Sequence, residues 1–260
     1  MANEQPIVIV GIGEMGGVFA RALLGSGHSV HPVLRSTSLD DGAREVPEPA
    51  LVLVTVGEAD LDAVLARLPA PWKDRTGLIQ NELLPRDWER HGIVRPTVAV
   101  VWFEKKPGRD TKVVIATPVA GPFAAPLAAA LDGIDLPTEV IDDDALVDAL
   151  VVKNLYILTA NIAGLVTGGT VSELWSEHHD LAASVAAETL DIQEWLVGRP
   201  LDRVAALAGM LAAFAADPEH GATGRSAPLR LRRALDHAAA ADIDVPAMAE
   251  IAREANVPRG

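Results

Sequence analysis

Three groups of residues in the chain have types and spacing suited to chemistry. The first is Gly11-Ile12-Gly13-Glu14-Met15-Gly16, a G-x-G-x-x-G pattern after the apolar run Ile7–Val10 and at the start of a helical pattern. In that setting Gly11 allows a tight turn, Gly13 lets the backbone approach a pyrophosphate, and Gly16 lets helix and strand pack closely. The helix N-terminus, with Glu14 and Met15 in its first turn, offers amide donors and the positive end of its dipole to the anion. The second group is Leu34-Arg35-Ser36-Thr37, which closes the second strand pattern. A site for NAD places an acid there to accept from the ribose hydroxyls, yet the first acid in this chain is Asp40. An arginine pairs instead with a 2′-phosphate, and Ser36 and Thr37 add hydroxyl donors. The expected cofactor is NADPH.

The third group is Lys153, Asn154 and Asn161 in KNLYILTANIAGL. At about 100° per residue, Asn161 lies about 80° and Asn154 about 100° from Lys153, with Gly164 about 20° away. They form one polar arc on an otherwise apolar helix. Such a stripe must face water, a partner or a cleft, and a solvated lysine with a snorkelling stem is the bland form of it. In a cleft, the ammonium would stabilise the oxygen of a carbonyl receiving hydride and give it a proton; reduction of a C=N bond needs the same help. Asn81 follows the apolar segment GLIQ, as a turn former or as a ligand contact at the carboxyl edge of a sheet. Ser226 precedes Ala227-Pro228 and reads as a helix N-cap that could also touch substrate. Arg225 beside it could bind a substrate carboxylate. HGATG (His220–Gly224) reads as a flexible loop able to act as a lid, and Glu104-Lys105-Lys106 as a solvated turn.

These residues need elements to position them. Short apolar strands at Ile7–Val10, Ser29–Leu34, Leu51–Val56, Gly77–Gln80, Thr97–Phe103, Thr111–Thr117 and Thr138–Ile141 alternate with helical patterns at Glu14–Ser26, Asp60–Leu68 and Phe123–Leu131. Fully apolar strands between helices predict a mostly parallel, doubly wound α/β sheet covered on both faces. Strand signals stop at Asp142-Asp143-Asp144. Beyond it, Ala145–Val166, Leu181–Val197, Leu201–Ala216, Pro228–Ala241 and Pro246–Ala255 read as helices. The expected organisation is a Rossmann-type NADP-binding domain over 1–142 and an all-helical substrate or dimerisation domain over 143–260.

Composition bounds the rest. The 260 residues include no cysteine, which excludes disulfides, thiolate metal sites and cysteine nucleophiles; the seven histidines show no ligand spacing, so no metal site is expected. The net charge of −14 repels nucleic-acid backbones and anionic lipids. The N-terminal MANEQP has no signal-peptide pattern, and no uninterrupted apolar run of about 18 residues occurs. The expectations are a cytoplasmic protein, a small-molecule partner, no nucleic-acid or membrane partner, and an alanine-rich helical half suited to homodimerisation.

With the N-terminal glycine motif, Arg35 closing the second strand, Asn81 after LIQ, Lys153 with Asn161 two turns on, and GGTVSELW (Gly168–Trp175), the chain resembles the ketopantoate reductase (2-dehydropantoate 2-reductase) family from about Pro6 to Pro246. The resemblance implies a Rossmann domain followed by a helical domain, an active site in the cleft between them, and NADPH-dependent reduction of a carbonyl next to a carboxylate. It implies Lys153 as general acid, and Asn81 and Asn161 as substrate and cofactor contacts. Two departures bear on specificity. Ile157 stands where the family has a further asparagine, and the C-terminal glutamate that holds the substrate's alcohol is replaced near Ser226. The reading is therefore a reductase of a small 2-oxo acid or related carbonyl compound. The alternatives are a nucleotide-binding regulatory protein without turnover, and an imine or 3-hydroxy acid reductase of the same plan; the last usually needs K-x-x-x-N, which Lys153 and Ile157 do not supply.

Overall fold

The computed structural model describes residues 5–257 and divides the chain into two compact units, 1–149 and 150–260. The first unit begins with β1 (Ile7–Val10), α1 (Glu14–Gly25), β2 (Val30–Val33), α2 (Leu39–Glu45), β3 (Leu51–Val54), α3 (Glu58–Ala66), α4 (Ala70–Lys73) and β4 (Thr76–Leu78). It continues with α5 (Pro85–Glu89), β5 (Thr97–Ala99), β6 (Phe103–Glu104), β7 (Lys112–Val113), β8 (Thr117–Ala120), α6 (Ala124–Asp132) and β9 (Thr138–Val140). Seven strands form one sheet in the order β2-β1-β3-β4-β5-β8-β9. Every pairing in it is parallel except β5 with β8. This is the doubly wound α/β sheet that the apolar strands predict. From β1 the chain crosses to β2 on one side and returns to β3 on the other, which makes the carboxyl ends of β1 and β3 the switch point where such sheets take ligands.

The residues of β1 and β3 are buried on both faces because helices cover the sheet. On one face Ile7, Ile9, Leu51 and Leu53 pack with Phe19 and Leu23 of α1 and Leu127 and Leu131 of α6. The indole of Trp72, fully buried, donates to the Val46 carbonyl at 2.9 Å, so its polar edge is satisfied inside the fold.

The segment expected as one strand over Thr97–Phe103 is two. Its first part, β5, stays in the main sheet, while Phe103-Glu104 pairs with Lys112-Val113 in a separate hairpin. Thr111–Thr117 divides in the same way between β7 and β8. The reason is non-local: β8 runs antiparallel to β5, and the Pro118 carbonyl accepts from Val100 N–H where the chain turns away.

In the second unit lie most of α7 (Asp143–Thr167), then α8 (Val171–Glu177), α9 (His179–Val197), α10 (Arg203–Ala216), α11 (Ala227–Ala241) and α12 (Pro246–Glu254). The division between units falls inside α7. This helix is long and apolar enough to cross a membrane by length and composition, but 72% of its apolar window is buried within the fold. Helix α9 packs against α8, α11 and α12. Thr170 and Glu173 form a reciprocal capping box at the start of α8. His178 sits at the junction of α8 and α9, and among the described residues no cluster of His, Asp or Glu could hold a metal ion.

Candidate functional site

The glycine-rich turn is built from both neighbouring strands. Gly11 has φ +93°, a conformation that an L side chain rarely adopts. A Cβ there would also press on Val56 Cγ1 at 2.9 Å. The Thr55 hydroxyl, at the end of β3, donates to the carbonyls of Val10 and Gly11 and so clamps the turn from the adjacent strand. Gly16 is locked from behind: a Cβ on it would overlap the Gly11 carbonyl and lie 2.7 Å from Thr55 Oγ1. Gly13 is the opposite case. It is exposed, and a Cβ on it would meet nothing within 4 Å. The turn is thus closed towards the sheet and open towards the first turn of α1, whose initial amides have no intrahelical acceptor. A dinucleotide pyrophosphate fits that arrangement, with Gly11, Gly13, Glu14, Met15 and Gly16 around it.

Arg35 lies two residues past β2. Its side chain is 94% exposed, and Nη2 meets Asp60 Oδ2 of α3 at 3.2 Å. An exposed pair of this kind contributes little to stability, so the guanidinium is available to a stronger anion. Ser36 is exposed beside it. Asn81 follows β4 with Glu82, which takes a left-handed φ of 61°. Asn81 Nδ2 donates to Glu58 Oε1 at 3.0 Å, linking the carboxyl ends of β4 and β3. Gln80 reinforces the same edge, donating to the Val54 carbonyl at 2.8 Å and the Val56 carbonyl at 3.2 Å. Lys105 is a residue that sequence reasoning assigned to a solvated turn. The hairpin brings its Nζ to 3.9 Å from the Glu14 carboxylate at the start of α1. Its only signal in the sequence was its place at a strand end.

In the second unit the polar arc of α7 is resolved differently from its sequence expectation. Lys153 is partly exposed, with Nζ 5.5 Å from the centroid of the Tyr156 ring, a face that attracts an ammonium. Asn154 does not share an open face with it. Its side chain is buried and Nδ2 donates to Gln193 Oε1 of α9 at 3.1 Å. Asn161 is also buried, and its Oδ1 accepts from Arg230 Nη1 of α11 at 2.6 Å. A polar stripe need not face a cleft when neighbouring helices bring complementary polar groups, and here two of them do.

Two readings of the loop before α11 are corrected. His220–Gly224 is pinned, not a free lid: Ala222 is fully buried, its N–H donates to Gly169 at 2.9 Å, and Gly221 bridges Thr170. A Cβ on Gly164 would lie 2.5 Å from the Ala222 carbonyl, so α7 needs glycine there for the loop to pack. Ser226 occupies the N-cap position of α11 but has helical φ and ψ, and its side chain makes no capping bond. Arg225 is exposed, whereas Arg230, which the sequence reading passed over, is only 8% exposed. The signal for it existed. Arg230 falls in the stripe Ala227, Leu231, Ala234 and Ala238 that α11 buries, a position where a cation is costly unless it has a purpose.

The fold and the turn define the class: a Rossmann-type dinucleotide sheet followed by an all-helical unit. No family model matches the chain, and no curated protein sequence matches it. Solved structures match over nearly the whole length. The chain is similar to 2-dehydropantoate 2-reductase from Methylococcus capsulatus, at 14% identity, covering 95% of this chain and 94% of that one with a TM-score of 0.66. It is similar to a PanE/ApbA family ketopantoate reductase from Ralstonia eutropha JMP134, at 17% identity, 96% and 97% coverage and a TM-score of 0.66. It is also similar to D-mandelate dehydrogenase bound to NADH and anilino(oxo)acetate, at 15% identity, 96% and 97% coverage and a TM-score of 0.65. At these identities the likeness carries the fold, and that fold is the ketopantoate reductase one.

Proposed function

We propose that the chain is an NADPH-dependent reductase of a small 2-oxo acid or related carbonyl compound, with residues 1–142 binding cofactor and 143–260 binding substrate. The observation that carries the reading is the glycine turn: locked behind Gly16 by Gly11 and Thr55, open in front of Gly13, at the switch point of a parallel sheet. The fold likeness to two kinds of 2-hydroxy acid oxidoreductase supports it.

NADPH, when bound, supplies hydride to the carbonyl carbon. Gly11, Gly13, Glu14, Met15 and Gly16 surround the pyrophosphate; Arg35 exchanges its exposed pairing with Asp60 for the 2′-phosphate, and Ser36 adds a hydroxyl. Asn81, held by Glu58, orients the ligand at the carboxyl edge of β4. As charge builds on the carbonyl oxygen, the Lys153 ammonium stabilises it and transfers a proton from Nζ, giving the alcohol and a neutral amine that regains its proton from solvent. Asn161 contributes to the substrate side. Asn154, bonded to Gln193, supports α7 from behind in place of the direct substrate contact that the sequence suggested.

The test is NADPH consumption against a panel of 2-oxo acids that includes ketopantoate and phenylglyoxylate, with NADH in parallel. Turnover of a panel member with preference for NADPH is expected. Tight NADPH binding without any turnover would overturn the reductase reading in favour of a nucleotide-binding protein without chemistry.

A further inference from the structure

We propose that Lys105 is a positioning residue for the dinucleotide: it draws the Glu14 carboxylate aside from the amides at the start of α1, so that the pyrophosphate and not Glu14 occupies them. The inference rests on the cofactor half of the reductase reading, and assigns a residue to which that reading gives no role. The Gly17 N–H bonds to the Gly13 carbonyl at 2.8 Å. The amides of Glu14, Met15 and Gly16 therefore precede the helix's own ladder and are the donors an anion can take. Glu14 is the one charged residue of the glycine motif and stands in that same first turn. The positive end of the α1 dipole attracts its carboxylate. An acid there competes with a phosphate, both by occupying the donors and by like-charge repulsion.

The β6–β7 hairpin brings the counter-charge. Phe103 of β6 is buried against Phe19 of α1, with ring centroids 6.0 Å apart, so the hairpin is seated on the helix that carries Glu14. Residues two apart on an extended chain share a face. Lys105 continues the Phe103 face towards α1, where its Nζ lies 3.9 Å from Glu14 Oε2. Glu104 and Lys106 take the other face and pair with each other at 3.0 Å. Lys105 is also held in place by its own loop. Its ammonium donates to the Lys106 carbonyl at 3.2 Å and to the Arg109 carbonyl, and its side chain is 24% exposed against 56% for Lys106. A lysine fixed in this way is a stationary charge, able to hold a glutamate to one side without a further loss of its own rotamer freedom.

The experiment titrates the full chain with NADPH and with NADH by fluorescence, in wild type, Lys105→Met, Glu14→Gln and the double variant, with melting temperatures recorded alongside. Both nucleotides carry the pyrophosphate. Lys105→Met is therefore expected to weaken both by a similar factor, about 10-fold, the size of one displaced anion–amide interaction. Loss at the 2′-phosphate, by contrast, touches NADPH alone. With Glu14→Gln in place there is no carboxylate to restrain, and adding Lys105→Met is expected to cost about 2-fold or less, a non-additivity that a purely structural role for Lys105 would not produce. The same loss in both backgrounds overturns the assignment, since Lys105 then acts on the nucleotide directly or through the fold. Unchanged binding in Lys105→Met overturns it as well. If Lys105→Met does not fold, Lys105→Gln carries the same comparison. A wild type that binds neither nucleotide overturns the cofactor reading, and this assignment with it. Binding in wild type with equal losses in the two backgrounds leaves the cofactor reading standing and removes only Lys105.

Discussion

At the scale of single residues, the cofactor and acid assignments make opposite kinetic demands. Arg35 forms an exposed pair with Asp60, so replacing it should cost the fold little, while the proposed 2′-phosphate contact would be lost. Arg35→Ala is expected to weaken NADPH binding about 10- to 100-fold, in line with loss of one charge-assisted contact, and NADH binding hardly at all. Fluorescence titration with both nucleotides checks this, and equal losses would remove Arg35 from the phosphate site. Lys153→Ala should instead lower kcat by about 100-fold or more, the usual range for loss of a general acid, while NADPH affinity stays near wild type. Lys153 and Arg35 stand out in the sequence as candidates because each combines an unusual residue type with a place fixed by local pattern: one face of an apolar helix, and a strand end. Asn154 was misread because its partner, Gln193, is 39 residues away, and Arg230 was missed because Asn161 is 69 residues away. A helical wheel shows which residues share a face, but not what the next helix brings against it.

At the scale of elements, helix α12 depends on a side chain from α9. Glu188 is buried and accepts the N–H groups of Ala247 at 2.7 Å and Met248 at 2.9 Å, satisfying donors at the start of α12 that have no intrahelical partner. Glu188→Ala should therefore cost about 1–3 kcal/mol by chemical denaturation. Burial raises the Glu188 carboxyl above its ordinary value of 4.5, and the two backbone donors only partly oppose this. The folded state then holds the proton more tightly than the unfolded chain does. The stability that this group contributes is full below the ordinary carboxylate range and declines as pH rises through the raised value. The difference in unfolding free energy between wild type and Glu188→Gln should shrink as pH is raised from about 4 through the weakly acidic range. A difference that grows over that range would contradict the assignment. Elements whose signals are local, such as β1, α1, β3 and α6, were read from the sequence to within a residue or two. The short helices α2, α4 and α5 were not, because each is a few residues long and carries too little periodicity to stand out. The break between β5 and β6 was hidden because Val100, Val101 and Trp102 continue the apolar run, and only pairing with β8 and β7 separates the two strands.

At the scale of the whole molecule, charge is the property that no single pair explains. Twenty-two basic and 36 acidic side chains leave a net charge of −14. The ion pairs seen include several on exposed side chains, such as Arg90 with Asp62 and Arg203 with Asp191, and exposed pairs contribute little. The excess carboxylates repel one another in the folded chain more than in the expanded one, and this self-repulsion lowers stability. Salt shortens the reach of that repulsion, from about 30 Å at 0.01 M to less than about 10 Å above 0.1 M. The melting temperature is therefore expected to rise by a few degrees between about 0.01 M and 0.3 M sodium chloride. Chloride salts of sodium and potassium should act alike, because the effect is screening and not site binding. If the proposed cofactor site is right, NADPH affinity should respond in the other direction, since its phosphates would meet the local cation Arg35 and the α1 N-terminus, whose attraction the same salt weakens. Calorimetry across the salt series, with and without NADPH, separates the two. A melting temperature that falls with salt in the absence of NADPH would mean that local ion pairs such as Arg203 with Asp191 and Glu194 outweigh the net charge.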